Sequence, residues 1–170
     1  LANDEATAKG YEGFDSTYYS KQNVVYLNLG VDFTSADFKT GLATGLRYFT
    51  THEGPYLVHC TEGKDRAGLG AVIVERALGV PEAYVRADYL ATNLLVRNRA
   101  EGIIDAISEK LRLARGLDAD VDSLFYAYND YYDRAMAAVS ANYGSFDAYL
   151  TEALDFGPEK RQALRAKYLR

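Results

Sequence analysis

Residues 56–68 read YLVHCTEGKDRAG, and this stretch decides the fold. A short apolar run, Tyr56–His59, leads into a loop that begins with Cys60 and carries Arg66 six residues later. An apolar helical pattern starts directly after Gly68. A buried strand, a loop and a buried helix in this order favour an α/β architecture.

The loop has the residue types of an anion site. Backbone N–H groups of a tight loop that ends at a helix N-terminus can all point at one anion. Arg66 can hold two oxygens of a tetrahedral anion. The same positive field stabilises the thiolate of Cys60 and makes it a nucleophile. A lone cysteine at a strand end is more often a small buried apolar residue, but Gly63 and Lys64 beside it favour the nucleophile.

Upstream of the loop, the pattern predicts one more strand and one helix. Val24–Leu29 opens with β-branched residues and partly alternates, as a strand does. Ser35 is placed to cap a helix over residues 36–50. The order favours a parallel-type sheet flanked by helices. Because two strands make a poor sheet, we expect residues 1–170 to be a fragment whose N-terminal strands lie in an upstream segment of the same chain.

The chain after Gly68 is predicted to be helical, within a single domain of residues 1–170. Its parts are a catalytic loop, 59–68, and a helix-rich C-terminal part, 81–170. Turn and cap residues divide the chain after Gly68 into helices over 69–78 (ending at Gly79), 81–98 (opened by Pro81), 103–111 (closed by Gly116), 121–139 (stopped near Gly144), a short helix capped by Ser145, and a last one opened by Pro158. Aromatic residues 125–132 indicate a core face, with a lid over a phenyl ring as the alternative.

Composition excludes several classes of protein. The net charge of -5 is unusual for a general nucleic-acid binder. The apolar runs are too short for a membrane-spanning helix, so no stable membrane insertion is expected. One cysteine and two histidines are too few and too scattered for a metal site. No cofactor is predicted, and cytoplasmic and secreted locations both stay open.

The string HCTEGKDRAG resembles the signature of the cysteine-dependent protein tyrosine phosphatases, a histidine and a cysteine followed six residues later by arginine. It is most similar to the bacterial GKDR-type tyrosine and phosphoinositide phosphatases. VPEAYVRADYLATN at 80–93 and YGSFDAYL at 143–150 look like further elements of that family. The resemblance implies a protein tyrosine phosphatase-like fold and a dual-specificity or tyrosine phosphatase activity.

The resemblance also implies a mechanism and roles for residues. Cys60 would attack phosphorus, Arg66 would bind the phosphoryl oxygens, and His59 would orient the cysteine. Water would then hydrolyse the cysteinyl-phosphate. The loop residues that would bind substrate are Thr61, Glu62, Gly63, Lys64, Ala67 and Gly68.

Two carboxylic acids are candidates for the general acid. Asp32 follows the first predicted strand, where many relatives carry the acid. Asp65 lies in the loop itself, as GKDR-type members suggest. Their alternative roles are a turn residue and a carboxylate that fixes the loop, and both assignments stay open.

The substrate is predicted to be a phosphotyrosine protein. Lys64 would suit a phosphorylated lipid or inositol, whose extra phosphates need extra cations, but Glu62 and the net charge of -5 disfavour a polyanion. The alternatives are a phosphoinositide phosphatase and a phosphate-binding module without turnover.

Ala67 departs from the pattern, because most relatives carry serine or threonine after the arginine. That hydroxyl stabilises the cysteine as a leaving group. Without a substitute, of which Thr61 is the first candidate, breakdown of the intermediate should limit turnover.

Overall fold

The computed structural model describes residues 15, 17, 21–30, 32, 35–111 and 129–169. In this part of the chain the regular structure is helical. The helices are α1 (Ala36–Thr51), α2 (Arg66–Leu78), α3 (Glu82–Leu111), α4 (Asn129–Tyr143), α5 (Phe146–Ala148), which continues as a π-helix (Tyr149–Ala153), and α6 (Pro158–Tyr168). The prediction of a helix-rich C-terminal part is confirmed over its described residues.

Helix α1 begins at the predicted cap. The Ser35 hydroxyl accepts a hydrogen bond from the Phe38 N–H at 3.2 Å, and Asp37 lies in the first turn, where the helix dipole favours a negative charge. Phe38, Leu42 and Leu46 are buried, so the apolar spacing correctly identified the inner face of this helix.

Helix α2 also ends where the sequence indicates. Gly79 takes a left-handed conformation with φ of 91°, and its N–H bonds the Arg76 carbonyl. A side chain other than glycine is strained there. Leu69, Val72 and Ile73 are buried, which makes α2 the helix that carries the loop into the core.

Helix α3 differs from the prediction. A break at Asn98 and a new helix from Ile103 were expected, but one helix runs from Glu82 to Leu111. Gly102 is the only helix breaker in the intervening stretch, and a single glycine costs only about 1 kcal/mol relative to alanine. The predicted closure at Gly116 and the first part of the 121–139 helix lie outside the described residues.

The two predicted strands, Val24–Leu29 and Tyr56–His59, are not strands in the described part of the chain. Asn28 has φ of 49°, a left-handed conformation that interrupts an extended run. Leu57 is 86% exposed, so the second run is not the buried strand that was expected. The parallel-type sheet is therefore not confirmed, and the prediction that an upstream segment supplies further strands stays a prediction.

The core lies directly beneath the loop that joins Cys60 to α2. Its main cluster takes buried residues from α1, α2, α4, the π-helix and α6, and Cys60 belongs to it. The largest fully buried members are Phe38, Leu46, Leu150, Leu154, Phe156 and Leu164. A smaller cluster of Val72, Val85, Tyr89 and Tyr132 packs α3 against α2 and α4. Burying each such side chain stabilises the folded state by about 1.5–3 kcal/mol. The loop is therefore attached to a well-packed core.

Cations of helix α6 tie the C-terminal segment to this core. The buried Arg161 pairs with Asp147 at 2.6 Å. Arg165 donates to the Leu78 carbonyl at 2.9 Å, at the end of α2. Lys167 donates to the Phe49 carbonyl at 3.1 Å, in the last turn of α1. Each of the last two stabilises a helix C-terminus. Among the helices described, none is long and apolar enough to span a membrane.

Candidate active site

Cys60 lies at the base of the candidate site. Its thiol is free and the residue is buried, with 8% of its surface exposed. It follows the half-buried His59 and packs within the main core cluster. The protein therefore holds the sulfur at a fixed position.

The loop after Cys60 turns sharply at Gly63. This residue has φ of 74°, a conformation that favours glycine even though a Cβ would meet no neighbour there. Thr61 and Glu62 before the turn are exposed, whereas Lys64 after it is buried. The turn thus brings the chain back toward the start of α2.

Arg66 closes the loop. It is the first residue of α2, and its guanidinium donates to the Thr61 hydroxyl at 2.9 Å. This bond uses one of the five N–H donors of the guanidinium. The geometry joins Thr61 and Arg66 across the loop that starts at Cys60, as an anion-binding loop requires.

The N-terminus of α2 carries no side-chain cap, although Asp65 is placed to be one. Asp65 is the N-cap residue, but its carboxylate accepts no capping hydrogen bond. By contrast, Ser35 caps α1, and Ser145 caps α5 by accepting from the Ala148 N–H at 3.0 Å. The first N–H groups of a helix have no partner within it. At α2 the Asp65 carboxylate does not take them up, and N–H groups at such a terminus are able to bind an anion.

Lys64 and Asp65 form an ion pair at the back of the loop. The ammonium lies 3.5 Å from a carboxylate oxygen, and the Lys64 side chain is only 6% exposed. From the sequence, Lys64 would suit a multiply phosphorylated substrate as an extra cation, although Glu62 and the net charge disfavour such a substrate. The structure instead places its charge in the interior beside Asp65, so Lys64 compensates a neighbouring carboxylate.

The charges of the two candidate acids, Asp32 and Asp65, both influence the pKa of the Tyr131 phenol. Burial raises the pKa of Tyr131, and the charges of Asp65 and then Asp32 add to that effect. Asp32 is exposed, and its carbonyl accepts from the Ser35 N–H at 3.2 Å and from the Ser35 hydroxyl at 2.8 Å. The charges of two residues far apart in the sequence thus both reach Tyr131 on α4.

Ala67 and Gly68 connect the loop to the core. Ala67 is half-buried and packs against the main cluster. A Cβ on Gly68 would lie 3.1 and 3.2 Å from two ring carbons of Tyr89, so a larger residue there would require the ring to shift by a few tenths of an ångström. The two small residues therefore seat α2 closely on its neighbours. In the described residues no group of three or more histidine, cysteine, aspartate or glutamate side chains could hold a metal ion.

A family comparison agrees with this geometry. The model of the tyrosine phosphatase family matches residues 5–170. The chain belongs to the tyrosine phosphatase family. The loop from Cys60 to Arg66, which ends at the N-terminus of α2, therefore lies in a chain of this family.

Two curated relatives carry phosphatase names. A protein of Cupriavidus necator named "Putative tyrosine-protein phosphatase" is 33% identical over 122 residues, which are 66% of this chain and 39% of that protein. The triple specificity protein phosphatase PtpB of Mycobacterium tuberculosis is 27% identical over 106 residues, which are 58% of this chain and 38% of that protein. The chain therefore spans about two fifths of the length of these relatives.

Sequence reasoning missed Tyr89 and considered Tyr131 only as part of an aromatic core face or lid. Tyr132 is 1% exposed and belongs to the core, as the spacing of the aromatic residues indicated. Tyr131 and Tyr89 lie close enough to Asp65 for its charge to act on them. The available signal was the resemblance of residues 80–93 to a family segment, but contacts between distant helices cannot be read from spacing. The aromatic residues at 125–128 lie outside the described residues.

Proposed function

We propose that this protein hydrolyses phosphomonoesters through a cysteinyl-phosphate intermediate. The observation that carries the proposal is the uncapped N-terminus of α2 beside a loop closed by the bond between Arg66 and Thr61, with Cys60 at its base. The N–H groups of such a terminus and a guanidinium both suit the oxygens of a phosphoryl group.

The reaction has two steps. In the first, the Cys60 thiolate forms a bond to phosphorus while the bond from phosphorus to the ester oxygen breaks, and the leaving oxygen takes a proton from a carboxylic acid. In the second, water gives a proton to the resulting carboxylate and attacks the same phosphorus, the bond to sulfur breaks to return the thiolate, and inorganic phosphate leaves. Arg66 holds the phosphoryl oxygens in both steps, and His59 orients the cysteine.

The general acid is Asp32 or Asp65. Burial raises the pKa of Tyr131, and the charges of both carboxylates raise it further. This supports a position of Asp32 near the loop that contains Asp65. Removal of the true acid should slow phenyl phosphate far more than p-nitrophenyl phosphate, because p-nitrophenolate leaves without a proton. Asp32→Asn and Asp65→Asn, each measured on both substrates, identify the acid by this difference.

The substrate class is phosphotyrosine in proteins, within the bacterial GKDR-type group. Lys64 is buried against Asp65 and Glu62 is exposed, so the loop surface offers few cations for a phosphoinositide. The relatives' names, a tyrosine-protein phosphatase and a triple specificity protein phosphatase, support phosphotyrosine turnover. Parallel assays on a phosphotyrosine peptide and a phosphoinositide test this preference, and faster phosphoinositide hydrolysis contradicts it.

The activity itself is tested with p-nitrophenyl phosphate. The wild type should hydrolyse it, whereas Cys60→Ser should lose all measurable turnover, because a serine hydroxyl is far less ionised than a thiol at neutral pH. Phosphate should protect Cys60 from alkylation by iodoacetate. Protection without turnover would instead show a binding module, and equal activity in both proteins would refute the cysteinyl mechanism.

A further inference from the structure

Two buried tyrosines of the neighbouring helices have hydroxyls with no hydrogen-bond partner among the described residues. Tyr89 is 3% exposed and Tyr132 is 1% exposed, and their ring centroids lie 5.6 Å apart. Within the described residues, neither hydroxyl has a hydrogen-bond partner. A buried unpaired hydroxyl destabilises a fold, so each one requires a physical reason.

The surroundings of the two hydroxyls differ. The Tyr89 ring lies against Gly68 in the first turn of α2. Burial raises the pKa of Tyr89, and the charge of Asp65 is the next largest cause. Burial also raises the pKa of Tyr132, but the charges that act on it are those of Glu82, Arg76, Arg86 and Asp133. The charge of the loop residue Asp65 therefore acts on Tyr89, whereas the charges that act on Tyr132 come from residues outside the loop.

Asp65 has two competing places for its carboxylate. One is beside the Lys64 ammonium, where it now lies at 3.5 Å. The other is on the N–H groups of its own helix, which is the usual place of an N-cap aspartate. An anion in the loop attracts the ammonium and repels the carboxylate. A carboxylate that moved onto the N–H groups would compete with the anion for them.

We propose that Tyr89 is a positioning residue that acts through Asp65. When an anion occupies the loop, the Tyr89 hydroxyl donates a hydrogen bond to the Asp65 carboxylate and keeps it off the N-terminus of α2. The buried Tyr89 hydroxyl thereby gains a hydrogen-bond partner in the anion-bound state. This inference rests on the proposed function, since it requires an anion beside Cys60.

The test measures the affinity of the whole chain for inorganic phosphate, from the protection of Cys60 against iodoacetate. Tyr89→Phe should bind phosphate about tenfold more weakly, which is the effect of one hydrogen bond to a charged group. It should raise KM for p-nitrophenyl phosphate more than it lowers kcat. Tyr132→Phe is the matched control, since it removes an equally buried unpaired hydroxyl, and its phosphate affinity should stay within twofold of the wild type.

A double-mutant cycle decides whether Tyr89 acts through Asp65. In an Asp65→Ala background, Tyr89→Phe should cause no further loss of phosphate affinity. An undiminished tenfold loss in that background overturns the inference, as does an equal loss in Tyr132→Phe. A Tyr89→Phe protein that does not fold where Tyr132→Phe folds also overturns it, because the hydroxyl then serves stability.

Failure of this inference can be separated from failure of the proposed function. If phosphate does not protect Cys60 in the wild type, the proposed function fails and this inference with it. If phosphate protects the wild type and Tyr89→Phe equally well, this inference alone fails.

Discussion

The two ends of helix α2 both carry basic side chains, but with opposite physical consequences. At the C-terminal end, Arg165 reaches across from α6 and donates to the Leu78 carbonyl at 2.9 Å. At the N-terminal end, Arg66 is the first helical residue and Lys64 lies two positions before it. The helix dipole favours a cation at the first of these ends and disfavours it at the second.

This difference separates residues that stabilise the fold from residues kept for a ligand. Arg165 satisfies a carbonyl that has no partner within its helix, so its charge needs no further explanation. Arg66 adds positive charge where the helix already presents N–H groups, and Asp65 does not cap them. An unfavourable charge at an uncapped terminus supports the proposal that an anion binds there. Four predictions follow from the comparison of the two ends.

The largest effect is expected for Arg66→Met. Loss of the guanidinium should reduce kcat/KM for p-nitrophenyl phosphate about a thousandfold, since groups that stabilise transition-state charge contribute on this scale. The free energy of unfolding should stay level or rise slightly, because an unfavourable helix-dipole contact is removed. Arg66→Lys is the control, because lysine keeps the positive charge but lacks the paired N–H donors of the guanidinium. It should recover only part of the activity. A large loss of stability in Arg66→Met would refute the comparison.

Ala67→Thr should have the next largest effect. A hydroxyl beside Cys60 should stabilise the departing thiolate and raise the steady rate about ten- to a hundredfold, because hydrogen bonds to charged groups contribute about 1.5–3 kcal/mol and each ~1.36 kcal/mol is tenfold in rate. The wild type should then show a burst of phenol release that shrinks in the variant, as measured by rapid mixing. Ala67→Ser is the smaller control. The absence of a burst in the wild type, with no gain in the variant, would mean that another group, such as Thr61, already supports the sulfur.

Arg165→Met should destabilise the protein by about 1 kcal/mol in denaturant unfolding and leave kcat unchanged. The loss combines one hydrogen bond with a charge at a helix C-terminus. Gln162→Met, at an exposed position of the same helix, provides the control and should have no effect. A fall in kcat without a fall in stability would give Arg165 a role in the site and remove the contrast between the two ends of α2.

The smallest effect concerns Glu75, within α2 between the two ends. Burial, followed by the charge of Asp88 and a hydrogen bond with it, raises the pKa of Glu75 to about 7 from an ordinary value of 4.5. The unfolded chain releases this proton near pH 4.5 and the folded chain holds it to about pH 7. The free energy of unfolding should therefore fall as the pH rises through this window.

Because Glu75 is partly exposed, the fall should be below about 1 kcal/mol. Glu75→Gln should remove this slope from unfolding measured between pH 4.5 and 7, and Glu159→Gln, an exposed carboxyl in the first turn of α6, should keep it. An unchanged slope in Glu75→Gln would show that another group titrates.

The sequence by itself determined the features that depend on near neighbours along the chain. The Ser35 and Ser145 caps, the left-handed Gly79 and the opening of α6 at Pro158 all appear where the residues predict them. Each depends on backbone preferences and hydrogen bonds within one helical turn. The loop from Cys60 to Arg66 was recognisable for the same reason, because its residue types and spacing specify an anion site.

Only the tertiary structure decided what depends on distant partners. Lys64 adjoins Asp65 in the sequence, but only the fold buries its side chain, and only the fold brings Tyr89 of α3 against Gly68 in the first turn of α2. Arg165 is exposed, yet it bonds a carbonyl 87 residues away, a contact that its position on the helix does not reveal. Exposure of Leu57 likewise overrides the apolar pattern that predicts a buried strand. The physical reason is common to all of these: burial and charge pairing are set by the segment that packs against a residue, and local sequence does not specify that segment.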